Sequence, residues 1–304
     1  MGKAIGIDIG GTTIRVAAVD EMGCVHAHEE FATQAQYGFE AAVVKIARSI
    51  SLVTVAADWR SGDVTTVGIG CTGPISRVAG TIHNPYTLPG WENENIVATL
   101  QEATSLKVIL DNDCNAALMG EHRAGAGKGV DNLVMLSLGT GVGGSVMRNG
   151  HIYRGANGAH PELGHIPVDP AGPECYCGQT GCREVFASGP AITRAASIHG
   201  LSDSYVVFEE ALRGNVAAEE ILAGVGQAVG RAIGTLMHTF LPELVILGGG
   251  VMSRKDELLV NYVEDSFQEL RLAPYAVRIA LAELGTQAGV VGAAILALED
   301  GYPD

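Results

Sequence analysis

Residues 162 to 182, ELGHIPVDPAGPECYCGQTGC, place one histidine and three cysteines at a spacing that can bind a metal. His165, Cys175, Cys177 and Cys182 form the pattern His-x9-Cys-x-Cys-x4-Cys. One imidazole and three thiolates are the soft, tetrahedral set that suits structural Zn2+. Pro170, Gly172, Pro173, Gly178 and Gly181 let the loop 165–182 fold back around an ion. The competing reading is three loose thiols, which a polar Gly/Pro loop would leave unburied. Cys24, Cys71 and Cys114 stand singly in apolar or Gly-rich surroundings and read as small buried thiols.

Three Gly-rich turns follow strand patterns: DIGGTT (8–13), LGTGVGG (138–144) and LGGGV (247–251). Such turns bring bare backbone N–H groups close to a phosphate. Gly10, Gly11, Gly139, Gly141 and Gly248 to Gly250, including Gly249, supply amides, and the hydroxyls of Thr12, Thr13 and Thr140 add donors. Asp8, at a strand end, has the chemistry to hold the water shell of Mg2+. Any one turn alone reads as a plain hairpin. Neither a Walker A pattern nor a properly spaced dinucleotide fingerprint is present. Three together, two of them in matched hairpins, point to a two-lobed clamp for ATP.

A further carboxylate lies in ILDNDCNAALMGE (109–121), where a buried strand ends at Asn112-Asp113 and a helix opens. Asp is a favoured N-cap, so capping is the competing role for Asp111 or Asp113. Phosphoryl transfer to a hydroxyl needs a carboxylate to accept the proton. Glu121 reads as structural.

The elements that must position these groups alternate along the chain. AIGIDIG and TIRVAAVD read as strands, followed by a helix through FEAAVVKIARSISLVTVAADW and a strand in VTTVGIG. A helix near 94–104, the strand LKVIL and a helix from DCNAALMGEHR follow. The hairpin LVMLSLGTGVGGSVMRNG (133–150) then repeats the plan of the first one. Long helices over about 206–240 lead to LVILGGGV, a helix, the strand VRIALA and a last helix QAGVVGAAILALE. This is α/β order in two similar lobes. The expected division is a small lobe over 1–115, with the last helix (about 286–304) packing back on it. A large lobe over 116–285 carries the zinc loop.

With 304 residues, 47% hydrophobic and 17% charged, the chain is globular. A net charge of −15 and the lack of any Lys/Arg run argue against nucleic acid or an anionic membrane as partner. No run of about 18 uncharged apolar residues is present. The opening MGKAIGIDIGG enters a strand pattern with no secretory leader, so a cytoplasmic location is expected, where disulfides are disfavoured.

Asp8-Ile-Gly-Gly-Thr12, Gly139-Thr140-Gly141 and Gly248 to Gly250 resemble the phosphate and adenosine motifs of the actin-like sugar kinases. LSLGTGVGGSVMRNGHIYRGANGAHPELGH (136–165) resembles the defining stretch of the ROK family (repressors, open reading frames, kinases), and the cysteine spacing matches its zinc loop. The resemblance spans essentially the whole chain. It implies a two-lobed actin-like ATPase fold with a cleft between the lobes. The implied activity is ATP-dependent phosphorylation of a free hexose, glucose first, at the 6-hydroxyl. Asp113 then becomes the general base, Asn112 holds a neighbouring hydroxyl, and Glu162, His165 and Glu184 contact the sugar, His165 also serving zinc. GCTGPIS, with Gly73, and HNPYTLPGW, with Asn84 and Thr87, resemble the other pocket loops. Glucokinase-like members carry Asn where this chain has Thr87, which leaves allose, fructose, mannose or N-acetylmannosamine as alternative sugars and Asn84 as a candidate substitute. ROK repressors carry a DNA-binding helix-turn-helix before the first hairpin, whereas four residues precede IGIDIGG here. A kinase is therefore expected ahead of a non-catalytic sugar-binding regulator. The resemblance also suggests a homodimer.

Overall fold

Period-2 alternation in the first strand decides what its two faces carry. In the computed structural model, which describes residues 2–252, 258–270 and 277–299, β1 (Lys3–Ile9) turns Ile5, Ile7 and Ile9 into one hydrophobic core. Gly6 and Asp8 alternate with them and therefore point to the opposite face. The same holds for β4 (Thr66–Cys71), where Val67, Ile69 and Cys71 join that core and Gly68 and Gly70 face away.

β1 pairs antiparallel with β2 (Thr13–Asp20), which pairs with β3 (Val25–Ala32). β4 and β7 (Lys107–Asn112) add in parallel, giving the order β3-β2-β1-β4-β7. β5 (Ile75–Ser76) and β6 (Thr81–Ile82) make a separate two-stranded ribbon. Residues of α1 (Phe39–Ala56) and α2 (Ile96–Thr104) close the Ile-rich core, with Trp91 fully buried beneath them.

The Gly face is covered by α9 (Ala288–Leu298) at backbone distance. A Cβ on Gly6 would sit 1.8 Å from the carbonyl oxygen of Val290, and one on Gly68 1.8 Å from that of Ala293. α3 (Asp113–Ala124) meets α9 just as closely, since a Cβ on Gly292 would lie 1.6 Å from the oxygen of Ala116. No side chain larger than hydrogen fits at these crossings.

The first compact unit accordingly runs to Gly129 and includes Gly150–Pro161 and the chain from Thr286. It does not end at residue 115, because that cut would sever α3 from the helix it is packed against. α9 ends at Leu298, and residues 300–304 of the expected last helix lie outside the described residues.

The second unit, Val130–Asn149 with Glu162–Gly285, repeats the hairpin plan. β8 (Leu133–Leu138) pairs antiparallel with β9 (Val142–Arg148), and a two-residue strand, β10 (His151–Ile152), comes next in the chain. β11 (Leu244–Gly248) joins β8 in parallel and β12 (Arg278–Leu281) joins β11. Val134, Leu136, Leu138, Val245 and Leu247 form the strand side of its core. After α4 (Glu184–Ala187) come α5 (Gly189–Ile198), α6 (Ser204–Leu212), α7 (Val216–Phe240) and α8 (Leu258–Leu270). The helical stretch expected over 206–240 is two helices. Gly214 takes a left-handed φ of 82° between them, and Asn215 caps α7 by accepting from the Ala218 amide at 3.2 Å. Among the described residues, no helix is long and apolar enough to cross a membrane.

Candidate functional site

Asp8 and Asp113 are brought together within the first unit. Asp8 points off the Gly face of β1, where Gly289 in the first turn of α9 makes room: a Cβ there would lie 2.7 Å from the Asp8 carboxyl carbon. Gly70, on the same face of β4, leaves room for the start of α3, at 3.5 Å from the Asp113 Cα. Burial and then the charge of Asp113 raise the pKa of Asp8 to about 6, although Arg15 at 3.4 Å pulls the other way. Burial likewise raises Asp113 above the ordinary carboxylate range, against hydrogen bonds from Cys114 and Asn112. Cys71, at the end of β4, has its thiol pKa pushed well up by burial and by both carboxylates.

Neither aspartate is the helix cap. Asn112 fills that position, accepting from the Cys114 amide at 2.8 Å, and Asp113 is the first helical residue. Its Oδ1 accepts from the same amide at 2.8 Å. Gly73 lies against Asn112, with its Cβ position 3.2 Å from Nδ2.

The two phosphate-type turns share one economy of amides. Gly10 donates to the Thr13 carbonyl at 3.0 Å and Gly139 to that of Gly141 at 2.9 Å, so each first glycine closes its own turn. The amides of Gly11, Thr12, Thr140 and Gly141 make no such bond among the described residues. The expected cradles are therefore smaller by one amide each than the sequence suggested.

In the second unit, the Leu138 and Gly139 carbonyls accept from Val251 at 2.9 Å and Gly189 at 2.8 Å. Gly249, at φ 90°, passes the end of β8 where a Cβ would stand 2.3 Å from the Leu138 oxygen. These ties place Gly139, Thr140 and Gly250 around a pocket of about 220 Å3 that Pro190, Tyr205 and Phe208 complete. Sequence reasoning missed the last three. The signal was there at Ser188-Gly189-Pro190, an N-cap followed by Pro in the first turn.

Asn84, the candidate substitute for an Asn at position 87, is tied into its own loop. It is 1% exposed and its amide is fully engaged. Nδ2 donates to the Thr87 hydroxyl at 2.7 Å and the Thr72 carbonyl at 3.3 Å, while Oδ1 accepts from the Tyr86 and Thr87 amides, each at 3.0 Å. Thr87 in turn packs on the first turn, its Cβ 2.8 Å from the Cβ position of Gly11.

The metal-type residues do converge. The ligand atoms of His165, Cys175, Cys177 and Cys182 all lie within 4.8 Å of one another, and the cysteines are free. Cys177 Sγ is 3.5 Å from Cys182 Sγ, and His165 Nδ1 is 3.5 Å from Cys175 Sγ. A tetrahedron with Zn–S of about 2.3 Å sets its sulfurs about 3.8 Å apart, so the donor set fits such an ion. Gly181, at φ 70°, lets the loop close, since a Cβ would meet the Asp169 oxygen at 1.6 Å. Cys175 and Cys182 are buried and only Cys177 is exposed, contrary to the picture of an unburied loop. Of the scattered cysteines, Cys71 is buried but Cys24 is exposed.

Two expected sugar contacts also bond within the protein. His165 Nε2 lies 3.2 Å from the Tyr176 hydroxyl, and Glu184 Oε2 accepts from the Val142 amide at 2.8 Å. Glu162 precedes the short turn that carries His165. Sequence reasoning also missed Arg154 and Arg77 beside Asp111, and His160 beside Asn115. A buried aspartate in a strand was the available signal for the cations.

The sequence profile of the ROK family matches residues 4–300. A glucokinase from Thermotoga maritima is 34% identical, covering 98% of this chain and 98% of its own. An N-acetylmannosamine kinase from Citrobacter koseri is 33% identical, covering 98% of this chain and 99% of its own. A solved ROK family glucokinase from Streptomyces griseus, in complex with glucose and AMPPNP, has a TM-score of 0.84 at 31% identity, covering 98% of this chain and 100% of that one.

The raised pKa of Asp8 has a measurable consequence. Between the ordinary value near 3.8 and about 6, the folded chain holds a proton that the unfolded chain releases. Stability of metal-free protein should therefore fall as pH rises through that window, by about 2–3 kcal/mol from this residue. Urea unfolding at pH 4.5 and 6.5 reads the change, and Asp8→Asn should remove most of it. A slope unaltered in the variant would contradict the assignment.

Proposed function

Because the chain belongs to the ROK family and is an ATP-dependent hexose kinase, we propose that its preferred acceptor is unmodified glucose, phosphorylated at the 6-hydroxyl with Asp113 as general base. The observation that carries the role of Asp113 is its half-buried carboxyl, raised in pKa, at the amino end of α3 beside Asp8. A raised pKa brings a base closer to working pH, where it takes a proton most effectively. In this reading the sugar hydroxyl donates to Asp113, and its proton passes there as the new O–P bond forms and ADP leaves. Asn112 holds an adjacent hydroxyl. Glu162, His165 and Glu184 line the same sugar, Glu184 through the oxygen not used by Val142.

The free amides of Gly11, Thr12, Thr140 and Gly141 would receive phosphate oxygens. Asp8, with Thr12 and Thr13, would hold hydrated Mg2+. Two neighbouring carboxylates, both raised in pKa chiefly by burial, are a site that a divalent cation suits, and the ion would offset phosphate charge. His165, Cys175, Cys177 and Cys182 would hold Zn2+ as a structural ion that stiffens the loop between the sugar-contacting residues.

N-acetylmannosamine is the competing acceptor. Thr87 favours it, being shorter than Asn and already tied to Asn84. Measuring kcat/KM over a panel of hexoses decides, with glucose expected above N-acetylmannosamine. The reverse order overturns the glucose assignment and leaves the kinase intact.

Asp113→Asn keeps the shape of the side chain and leaves the Asn112 cap in place. The variant should melt near the parent, still bind sugar, and lose roughly 10²–10⁴-fold in kcat. Normal turnover per folded molecule would move the base elsewhere.

Metal analysis of protein purified without added zinc should give one zinc per chain. Cys177 is exposed, so Cys177→Ser alone disturbs little packing. It should nevertheless lower metal content and stability together. Full metal retention in this variant would count against the site.

A further inference from the structure

One buried network in the first unit takes no part in the mechanism above. The Asp111 carboxylate, 4% exposed at the end of β7, is ion-paired with Arg154 and lies 3.8 Å from Arg77. Between two guanidinium groups it only accepts, so Asn115 Nδ2 is the donor to its Oδ1 at 2.8 Å. That fixes the orientation of the Asn115 amide. Its carbonyl oxygen then faces His160 Nδ1 at 3.1 Å. A carbonyl oxygen cannot donate, so Nδ1 carries the proton and Nε2 is a bare acceptor. Nε2 makes no hydrogen bond among the described residues. Burial holds the pKa of His160 down to about 4, with Asp111 drawing it up and Arg154 drawing it down, so the ring stays neutral.

The relay that sets this tautomer ends on the first turn of α3, which also bears Asp113. Asn115 follows Asp113 by two residues on the same first turn, about 3 Å along the helix axis and on a different side of the helix. His160 is half-buried. A fixed acceptor reads a donor, and a free hexose presents hydroxyl donors all round.

We propose that His160 Nε2 accepts a hydrogen bond from a hydroxyl of the hexose, which makes His160 a specificity-determining residue of the acceptor site; this rests on the hexose-kinase reading. Arg154, Asp111 and Asn115 act through His160 and are positioning residues.

The test is steady-state kinetics of His160→Leu and His160→Gln on whichever hexose of the panel is turned over best. Loss of one neutral hydrogen bond should raise KM for the sugar about 3–10-fold in His160→Leu, with kcat and KM for ATP within about twofold. His160→Gln, which keeps an acceptor oxygen, should recover part of the loss. Long-range 15N–1H spectra of the unaltered protein read the tautomer directly, so the proposal stays testable where a variant fails to fold. The expected result is a protonated Nδ1 and an Nε2 resonance that moves when the sugar is added. A protonated Nε2, an Nε2 resonance indifferent to sugar, or an effect confined to KM for ATP overturns it. Turnover of another hexose in place of glucose overturns the glucose assignment, while His160 is still judged on the hexose used.

Discussion

Backbone-to-backbone contact between α9, the Gly face of the first sheet and α3 is the constraint on which the rest of the first unit depends. At Gly6, Gly68 and Gly292 the neighbouring carbonyl oxygens lie where a Cβ would be, at 1.6 to 1.8 Å. Interiors are packed too densely for such a site to absorb even a methyl group by local adjustment. Because the helices come this close, the start of α9 sits under Asp8 and the start of α3 sits over Gly70. The two carboxylates are thus held in each other's field by the packing of glycines around them.

That enforced proximity is what gives the site its electrostatic character. Burial raises both carboxyls, and the charge of Asp113 adds to the rise at Asp8. Arg15 relieves Asp8 in part, while Asp113 has helix-terminal amides and its Asn112 neighbour for support. Asp111, two residues before Asp113, is a different case: its guanidinium partners hold it in an ion-paired network that reaches His160.

Each unit closes its Gly-rich turn with the same local device. One glycine amide closes the turn and the following two remain available, in Gly10–Thr12 and again in Gly139–Gly141. The second unit adds a loop in which four metal-type side-chain atoms gather within 4.8 Å and Gly181 closes against Asp169. Its ties to the second turn run through Glu184, which bonds the Val142 amide.

Much of this was legible in the chain because it is local. Hairpin turns, the His-x9-Cys-x-Cys-x4-Cys spacing and most strands depend on residues a few positions apart, and the amino-acid types there carry the signal. β3 was missed since VHAHEEFA, an edge strand, buries no complete face and shows only half-buried and exposed positions in alternation. The hydrogen bonds of Asn84 were not legible, because they follow from how its own loop folds against Thr72. The Asp8–Asp113 pairing, the domain boundary beyond α3 and the His160 tautomer were decided only in three dimensions. Each depends on contacts between segments far apart in sequence, where a single hydrogen-bond direction or a missing Cβ sets the outcome, and no periodicity in one segment records its partner.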